Sequence, residues 1–110
     1  FVEMPHGPVT STGFRFEADG KSLVYATDFS EITPQMIKCF KGPDLLVVDC
    51  LRRRPHPTHA HLEMAIDLAR KIKARKTVLT HMDKSMDYRT LCDEVPKDVV
   101  VGFDGLGLEV

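Results

Sequence analysis

The sequence lacks the features that mark a membrane-spanning, secreted or zinc-knuckle protein. Its cysteines, Cys39, Cys50 and Cys92, are widely spaced and form no Cys-x-x-Cys pair, so neither a zinc knuckle nor a redox motif is indicated. Reduced thiols of this kind are typical of cytosolic proteins. No apolar run approaches the roughly 18 residues of a membrane span, and no signal-peptide pattern opens the sequence. We therefore expect a cytoplasmic chain without a membrane partner.

An excess of either charge is also missing. The formal net charge is -1, which gives no general attraction to anionic polymers. A broad basic surface would be needed to hold an extended nucleic acid, so we do not expect one as a partner. The 110 residues suffice for one core and not for two domains. We expect residues 1–110 to form a single segment.

The first half of the sequence predicts a hairpin followed by a short helix. Residues 12–17 and 22–27 are rich in strand-forming residues and flank Asp19-Gly20, a strong signal for a tight turn. These strands should pair antiparallel. Thr33-Pro34 is typical of a helix start, and Gly42-Pro43 is typical of a helix end.

The second half predicts an alternation of strands and helices. Leu45–Val48 is a short, continuously apolar run, as expected of a strand covered on both faces. Pro57-Thr58 predicts the start of a long amphipathic helix, with Thr58 as its N-cap. Further elements are predicted as strands at 77–79, 99–101 and 106–110 and as a short helix or turn at 86–92.

Three segments place a metal-capable side chain beside a predicted strand. They contain His6 in Pro5-His6-Gly7, Asp28 after Tyr25-Ala26-Thr27, and His81 after the strand at 77–79. Strand ends can bring such distant segments to one edge of a sheet. A hydrolytic site with two metal ions needs imidazoles and a carboxylate that bridges the ions. The pattern indicates half of such a site.

Each of these residues also has an ordinary structural interpretation. Asp28 could cap a turn, and Pro-His-Gly around His6 could be a surface turn. A single histidine after a strand, such as His81, is often a hydrogen-bonded, half-buried residue. The residues alone leave these alternatives open.

Two further segments suggest contacts with an anion. With Thr58 as N-cap, His59 would lie in the first turn of a helix, where free amides favour a phosphate. The alternatives are a surface histidine or adventitious metal binding together with His56 and His61. Arg52-Arg53-Arg54 could grip a phosphate, because guanidinium groups bind phosphate bidentately, or could be an exposed loop.

The order of histidine, strand-end aspartate and histidine resembles the C-terminal half of the metallo-β-lactamase fold hydrolases. Within that superfamily it is most similar to the phosphodiesterase branch that includes phosphoribosyl cyclic phosphodiesterases and stands near the tRNA 3′-processing endonucleases. The resemblance covers nearly the whole chain. It is carried by Pro5-His6-Gly7, Val24-Tyr25-Ala26-Thr27-Asp28, Val47-Val48-Asp49-Cys50, Pro57-Thr58-His59, Leu79-Thr80-His81-Met82 and Gly102-Phe103-Asp104-Gly105.

The His-x-His-x-Asp-His signature of that family does not occur in the sequence. The resemblance therefore implies an α/β fold that is the C-terminal half of a four-layer αββα sandwich, with the N-terminal half of the same fold as a partner. Some relatives bind a structural zinc with a histidine placed where this chain has Lys84, and an ammonium group cannot serve that site.

The resemblance implies a metal site. His6 and His81 would each bind one metal, and Asp28 would bridge two divalent ions, Zn2+ or Mn2+. Asp49 would lie just outside the metal ligands.

The resemblance also implies catalytic and substrate-binding roles. His59 would act with Asp28 in catalysis, contacting a phosphate oxygen or protonating the leaving group. From the arginine triplet, and on the chemistry of its guanidinium group and not on the resemblance, we expect Arg54 to bind the substrate.

The function implied is that of a metal-dependent phosphodiesterase, in which a metal-bound hydroxide attacks a small cyclic phosphate, phosphoribosyl or nucleotide-like substrate. One alternative is a thioester or lactone hydrolase of the same fold. Another is an inert fragment or interaction module, since 110 residues without the other ligands should be inactive alone. Homodimerisation stays open.

Overall fold

The computed structural model describes residues 1–110 and begins with three antiparallel strands. They are β1 (Val2–His6), β2 (Val9–Ala18) and β3 (Lys21–Ala26). Between β2 and β3, Asp19 and Gly20 have φ angles of 51° and 75°, as a tight hairpin turn requires. The predicted hairpin is confirmed, and β2 begins earlier than expected, at Val9.

Three parallel strands follow and complete a six-stranded sheet. They are β4 (Leu45–Asp49), β5 (Lys76–Thr80) and β6 (Val99–Val101), and the strand order across the sheet follows the chain. Because β3 to β6 run parallel, their carboxyl ends lie at one edge. This edge carries the candidate site.

Three helices connect the parallel strands. They are α1 (Pro34–Phe40), α2 (Leu62–Lys71) and α3 (Tyr88–Glu94). At the start of α1, the Thr33 hydroxyl accepts a hydrogen bond from the Met36 amide at 3.2 Å. The predicted cap is therefore confirmed. None of the helices has the length and apolar character that a membrane crossing requires.

The predicted start of the second helix at Pro57-Thr58 is wrong. Helix α2 begins at Leu62, and its N-cap is His61, whose side chain makes no capping hydrogen bond. The carbonyl of Thr58 is instead engaged by the ring of His6, with 2.7 Å between Nδ1 and O. A tertiary contact thus keeps this segment out of the helix.

His59 consequently lies in a loop and not in a first helical turn. The predicted phosphate site at the helix N-terminus is therefore wrong. His59 nevertheless lies at the carboxyl edge of the sheet.

The strand predicted at 106–110 is also wrong. Residues after β6 lie outside the six strands, with Asp104 and Gly105 in a turn. A strand needs a neighbour for its backbone hydrogen bonds, and the segment has none beside it in this structure.

The helices bury one face of the sheet. The core there contains alternate residues of the inner strands, such as Val24, Leu46 and Leu79, packed with helix residues that include Phe40 and Leu68. The other face is lined by apolar side chains that remain partly exposed. We call this surface the open face, and it is formed by the side chains of Phe14, Phe16, Leu23, Tyr25 and Val47. On the open face of β4, Leu45 is buried and Val47 is half-buried, so the expectation that β4 is covered on both faces holds fully on the helix side and in part on the open face.

Candidate metal centre

Four side chains converge at the carboxyl edge of the sheet. Asp28 follows β3, Asp49 ends β4, His81 follows β5, and His59 projects from the loop before α2. One ligand-capable atom from each of the four residues lies within 4.8 Å of those of the others. Carboxylate oxygens and imidazole nitrogens are the ligands that zinc and related divalent ions bind. The edge therefore has the chemistry of a metal centre.

Asp49 connects these segments through its buried carboxylate. Its side chain is fully buried, and its two oxygens each accept a hydrogen bond of 3.0 Å from an imidazole, Oδ2 from His59 and Oδ1 from His81. Oδ2 also accepts from the backbone amides of Asp28 at 3.1 Å and Ala60 at 3.4 Å. A buried carboxylate needs this many donors to offset its lost hydration.

The hydrogen bonds define the tautomers of three histidines. A ring nitrogen that donates to a carboxylate or carbonyl must carry the proton. Nδ1 is therefore protonated in His59 and His81, which face Asp49, and in His6, which faces the Thr58 carbonyl. In the neutral form of each ring, Nε2 then has the lone pair that a metal ion can bind. Metal-binding histidines in proteins characteristically donate their other N–H in this way, so the donor set fits a metal.

Asp28 is held in a strained backbone conformation at the same edge. Its φ is 60°, a region that few residues other than glycine adopt, and His81 has a φ of 63°. The Asp28 carbonyl accepts a hydrogen bond from Ser11 at 2.6 Å. Its carboxylate oxygen Oδ1 lies 3.5 Å from Nδ1 of both His59 and His81. Such strain at two adjoining positions is typical of a functional site.

His6 adjoins the four-residue cluster without belonging to it. Its ring centroid lies 4.8 Å from that of His59, edge to face. His59 has a second such contact with His81, also at 4.8 Å, and a third with His56 at 5.4 Å. The structure thus brings the predicted metal residues to one edge and adds Asp49 and His59 to the atoms within reach of an ion.

The arginine triplet does not act as one patch. Arg52 donates to carbonyls of its own loop, and Arg53 pairs with Glu94 on α3. Arg54 is exposed, and the hydrogen bond it makes is through its backbone carbonyl. Of the three, Arg54 has the guanidinium that is free to meet an anion.

The surroundings of two neighbouring groups favour their neutral forms. Burial, and then the charge of Asp49, raises the pKa of the Cys50 thiol to about 12, so it is no thiolate nucleophile at neutral pH. Loss of hydration, followed by the charges of Arg52 and His59, lowers the pKa of His56. His56 also has the opposite tautomer from its neighbours, because its Nδ1 accepts a hydrogen bond from the Thr58 amide at 3.2 Å.

The prediction that Asp49 lies just outside the metal ligands stays a prediction, and the strand pattern indicates its position at the sheet edge. Asp49 closes β4 as Asp28 follows β3, and these strands are parallel neighbours, with Ala26 beside Val48. Side chains at the carboxyl ends of two such strands meet at the same edge of the sheet.

Comparison with known families identifies the fold. Residues 2–82 match the model of the Beta-lactamase superfamily domain. The chain belongs to this family. The resemblance to metallo-β-lactamase fold hydrolases is thereby confirmed, as is the α/β class, since the six-stranded sheet and three helices match a fragment of that fold.

Three solved structures are similar to this chain. A new diphosphatase from the PhnP family has 35% sequence identity and a TM-score of 0.90, over 99% of this chain and 42% of that one. The metallo-β-lactamase fold protein YhfI from Bacillus subtilis has 23% identity and a TM-score of 0.81, over 96% and 46%. Human tRNase Z, short form, has 20% identity and a TM-score of 0.76, over 94% and 38%. The last two show the fold alone.

A curated relative is the octanoyltransferase of Porphyromonas gingivalis (strain ATCC BAA-308 / W83). It is 29% identical over 107 residues, which are 96% of this chain and 21% of that protein. The chain thus spans about a fifth of this relative and less than half of each of the three solved structures.

Proposed function

We propose that this chain supplies half of the active site of a metal-dependent phosphodiesterase. The observation that carries the proposal is the Asp49 carboxylate, which orients His59 and His81 through their Nδ1 atoms beside Asp28. The 35% identity to a PhnP-family diphosphatase supports chemistry at phosphorus. As substrate we propose a small cyclic phosphate, phosphoribosyl or nucleotide-like molecule.

The residues that would hold the metal are His6, Asp28 and His81. With its two carboxylate oxygens Asp28 would bridge two divalent ions, Zn2+ or Mn2+, and the remaining ligands would come from the N-terminal half of the fold. When bound, such ions acidify a water molecule and polarise a phosphoryl oxygen.

His59 is proposed to deliver a proton to the leaving oxygen. Its Nδ1–H is held by Asp49 at 3.0 Å, which fixes the ring and stabilises the positive charge that the imidazole carries when Nε2 is also protonated. Nε2–H would then donate to the alkoxide that leaves phosphorus, and the ring would return to its neutral form. A carboxylate that orients a histidine in this way recurs in hydrolytic enzymes. The exposed guanidinium of Arg54 would guide the phosphate to the edge.

A substitution of Asp28 tests this function in the complete protein. We expect Asp28→Ala to lower the turnover of bis(p-nitrophenyl) phosphate by at least about a hundredfold, because it removes the bridging carboxylate. Asp93→Ala, which removes an exposed carboxylate on α3, is the control and should leave turnover unchanged. Retained activity in Asp28→Ala would overturn the proposal. Faster hydrolysis of a thioester or lactone than of the diester by the unaltered protein would indicate an acyl hydrolase instead.

We further propose that residues 1–110 alone are inactive, since they carry only part of the ligand set. The protein is expected to be cytoplasmic, with a small phosphorylated substrate, no membrane partner and no extended nucleic acid.

A further inference from the structure

The loop at residues 52–61, which we call the histidine loop, is a closed unit. Its ends pair through a β-bridge between Arg52 and His61. The Leu62 amide donates to the Arg52 carbonyl at 3.0 Å, and the Leu51 amide donates to the Ala60 carbonyl at 3.0 Å. Because both ends are fixed to the sheet edge, the inner part of the loop decides where its histidines point.

Arg52 fixes the first part of the histidine loop. Its Nε donates to the Arg54 carbonyl at 3.2 Å, and its Nη2 donates to the Pro55 carbonyl at 2.7 Å. Two donors from one rigid, planar group define the path of the backbone between them. These donors would have to leave the loop before they could bind a phosphate.

His56 fixes the second part of the loop. Its Nδ1 accepts from the Thr58 amide at 3.2 Å and lies 3.3 Å from the Thr58 hydroxyl. The Thr58 carbonyl in turn accepts from Nδ1 of His6 at 2.7 Å. Thr58 also lies so close to Gly7 that a Cβ on that glycine would be 2.5 Å from the Thr58 methyl group. The loop and the end of β1 therefore form one hydrogen-bonded assembly.

We propose that Arg52 and His56 are positioning residues, which set the rings of His6 and His59 through the histidine loop and touch neither metal nor substrate. Arg52 holds the loop backbone up to His56, and His56 holds Thr58, which presents its carbonyl to His6 and carries His59 next in the chain. The catalytic consequence rests on the proposed function, whereas the geometric claim stands without it.

The kinetic test uses the complete protein with bis(p-nitrophenyl) phosphate. Arg52→Gln should lower kcat about tenfold or more with KM nearly unchanged, as is usual for residues that support metal ligands. Arg53→Gln removes the same charge one residue later and should behave like the unaltered protein. A rise in KM with unchanged kcat for Arg52→Gln would show a direct phosphate contact and overturn the proposal, as would equal behaviour of the two variants.

A pair of substitutions at His56 separates positioning from catalysis. Asparagine can accept a hydrogen bond from the amide two residues on, as in an Asx-turn. His56→Asn should therefore restore most of the kcat that His56→Ala loses. If the kcat of His56→Asn is as low as that of His56→Ala, the imidazole itself acts in the reaction and the proposal fails.

A measurement independent of activity uses nitrogen NMR of the imidazoles. The unaltered protein should show the proton of His56 on Nε2 and those of His6 and His59 on Nδ1. Arg52→Gln should remove the protected Nδ1–H signal of His6, and Arg52→Lys serves the same purpose if the glutamine variant does not fold. A proton on Nδ1 of His56, or an unchanged His6 signal in the variant that folds, would overturn the proposal. Because this result needs no turnover, it remains decisive even if the protein is no phosphodiesterase.

Discussion

At the residue scale, Asp49 joins three segments of the site, which carry Asp28, His59 and His81. Its buried carboxylate accepts from two imidazoles and two backbone amides. Ionised groups are rarely buried without such partners, because the loss of hydration costs several kcal/mol. The same partners that stabilise Asp49 also hold His59 and His81 in one tautomer.

Asp49→Asn tests this dependence. An asparagine keeps the shape but turns one oxygen into an NH2 group, which would face an imidazole N–H. We expect the free energy of unfolding to fall by about 1–3 kcal/mol and metal affinity to fall by about tenfold to a hundredfold. Chemical denaturation and metal titration of the complete protein measure the two effects.

Asp93→Asn is the matched control, since Asp93 is exposed on α3 and should change neither quantity. If Asp49→Asn keeps full metal affinity, the imidazoles are oriented by something other than Asp49.

Much of the site could be predicted at this scale, and the reason is periodicity. Asp28 and His81 directly follow strands, so their edge position follows from the strand pattern alone. The joint role of Asp49 and His59 could not be predicted, because it depends on hydrogen bonds between segments ten or more residues apart in sequence.

At the scale of elements, two helix starts with similar sequences behave differently. Thr33-Pro34 begins α1 as predicted, and Thr33 caps it. Pro57-Thr58 has the same two residue types in the reverse order and begins no helix, because His6 engages the Thr58 carbonyl and the loop is closed by the Arg52–His61 bridge. Local signals predict helix starts only where no tertiary contact competes for the same groups.

The uncapped start of α2 gives a prediction about His61. Its backbone has extended angles suited to an N-cap, yet its side chain makes no capping bond and its buried Nδ1 has no partner. His61→Ser should supply an acceptor for the first turn and raise the free energy of unfolding by about 1 kcal/mol. Since no hydrogen bond, ion pair or ring contact joins the His61 side chain to the four clustered residues, turnover should be unchanged.

The reciprocal change at α1 serves as the control. Thr33→Ala removes an existing cap and should cost about 1 kcal/mol. A loss of turnover in His61→Ser at unchanged stability would mean that His61 belongs to the site after all.

At the scale of the whole molecule, the open face is the feature that the fold leaves unexplained. Phe14, Phe16 and Tyr25 are 42%, 56% and 43% exposed and lie side by side with Leu23 and Val47. A contiguous apolar surface of this kind marks an interface. The chain spans 42% of the similar PhnP-family diphosphatase, and we expect the open face to be covered by the N-terminal half of the same fold.

Phe16→Ala in the complete protein tests this expectation. If the ring is buried between two sheets, its removal should lower the free energy of unfolding by about 3 kcal/mol, because a core phenylalanine is replaced by a cavity. Tyr88→Ala is the control: Tyr88 is similarly exposed, at 47%, but lies on α3 on the helix side of the sheet, and its loss should cost about 0.5 kcal/mol. Denaturation at several protein concentrations shows whether the N-terminal half of the fold, a second copy of the chain or solvent covers the open face. A midpoint that rises with concentration indicates a second copy of the chain on the open face, whereas an equally small loss in both variants indicates that solvent covers it.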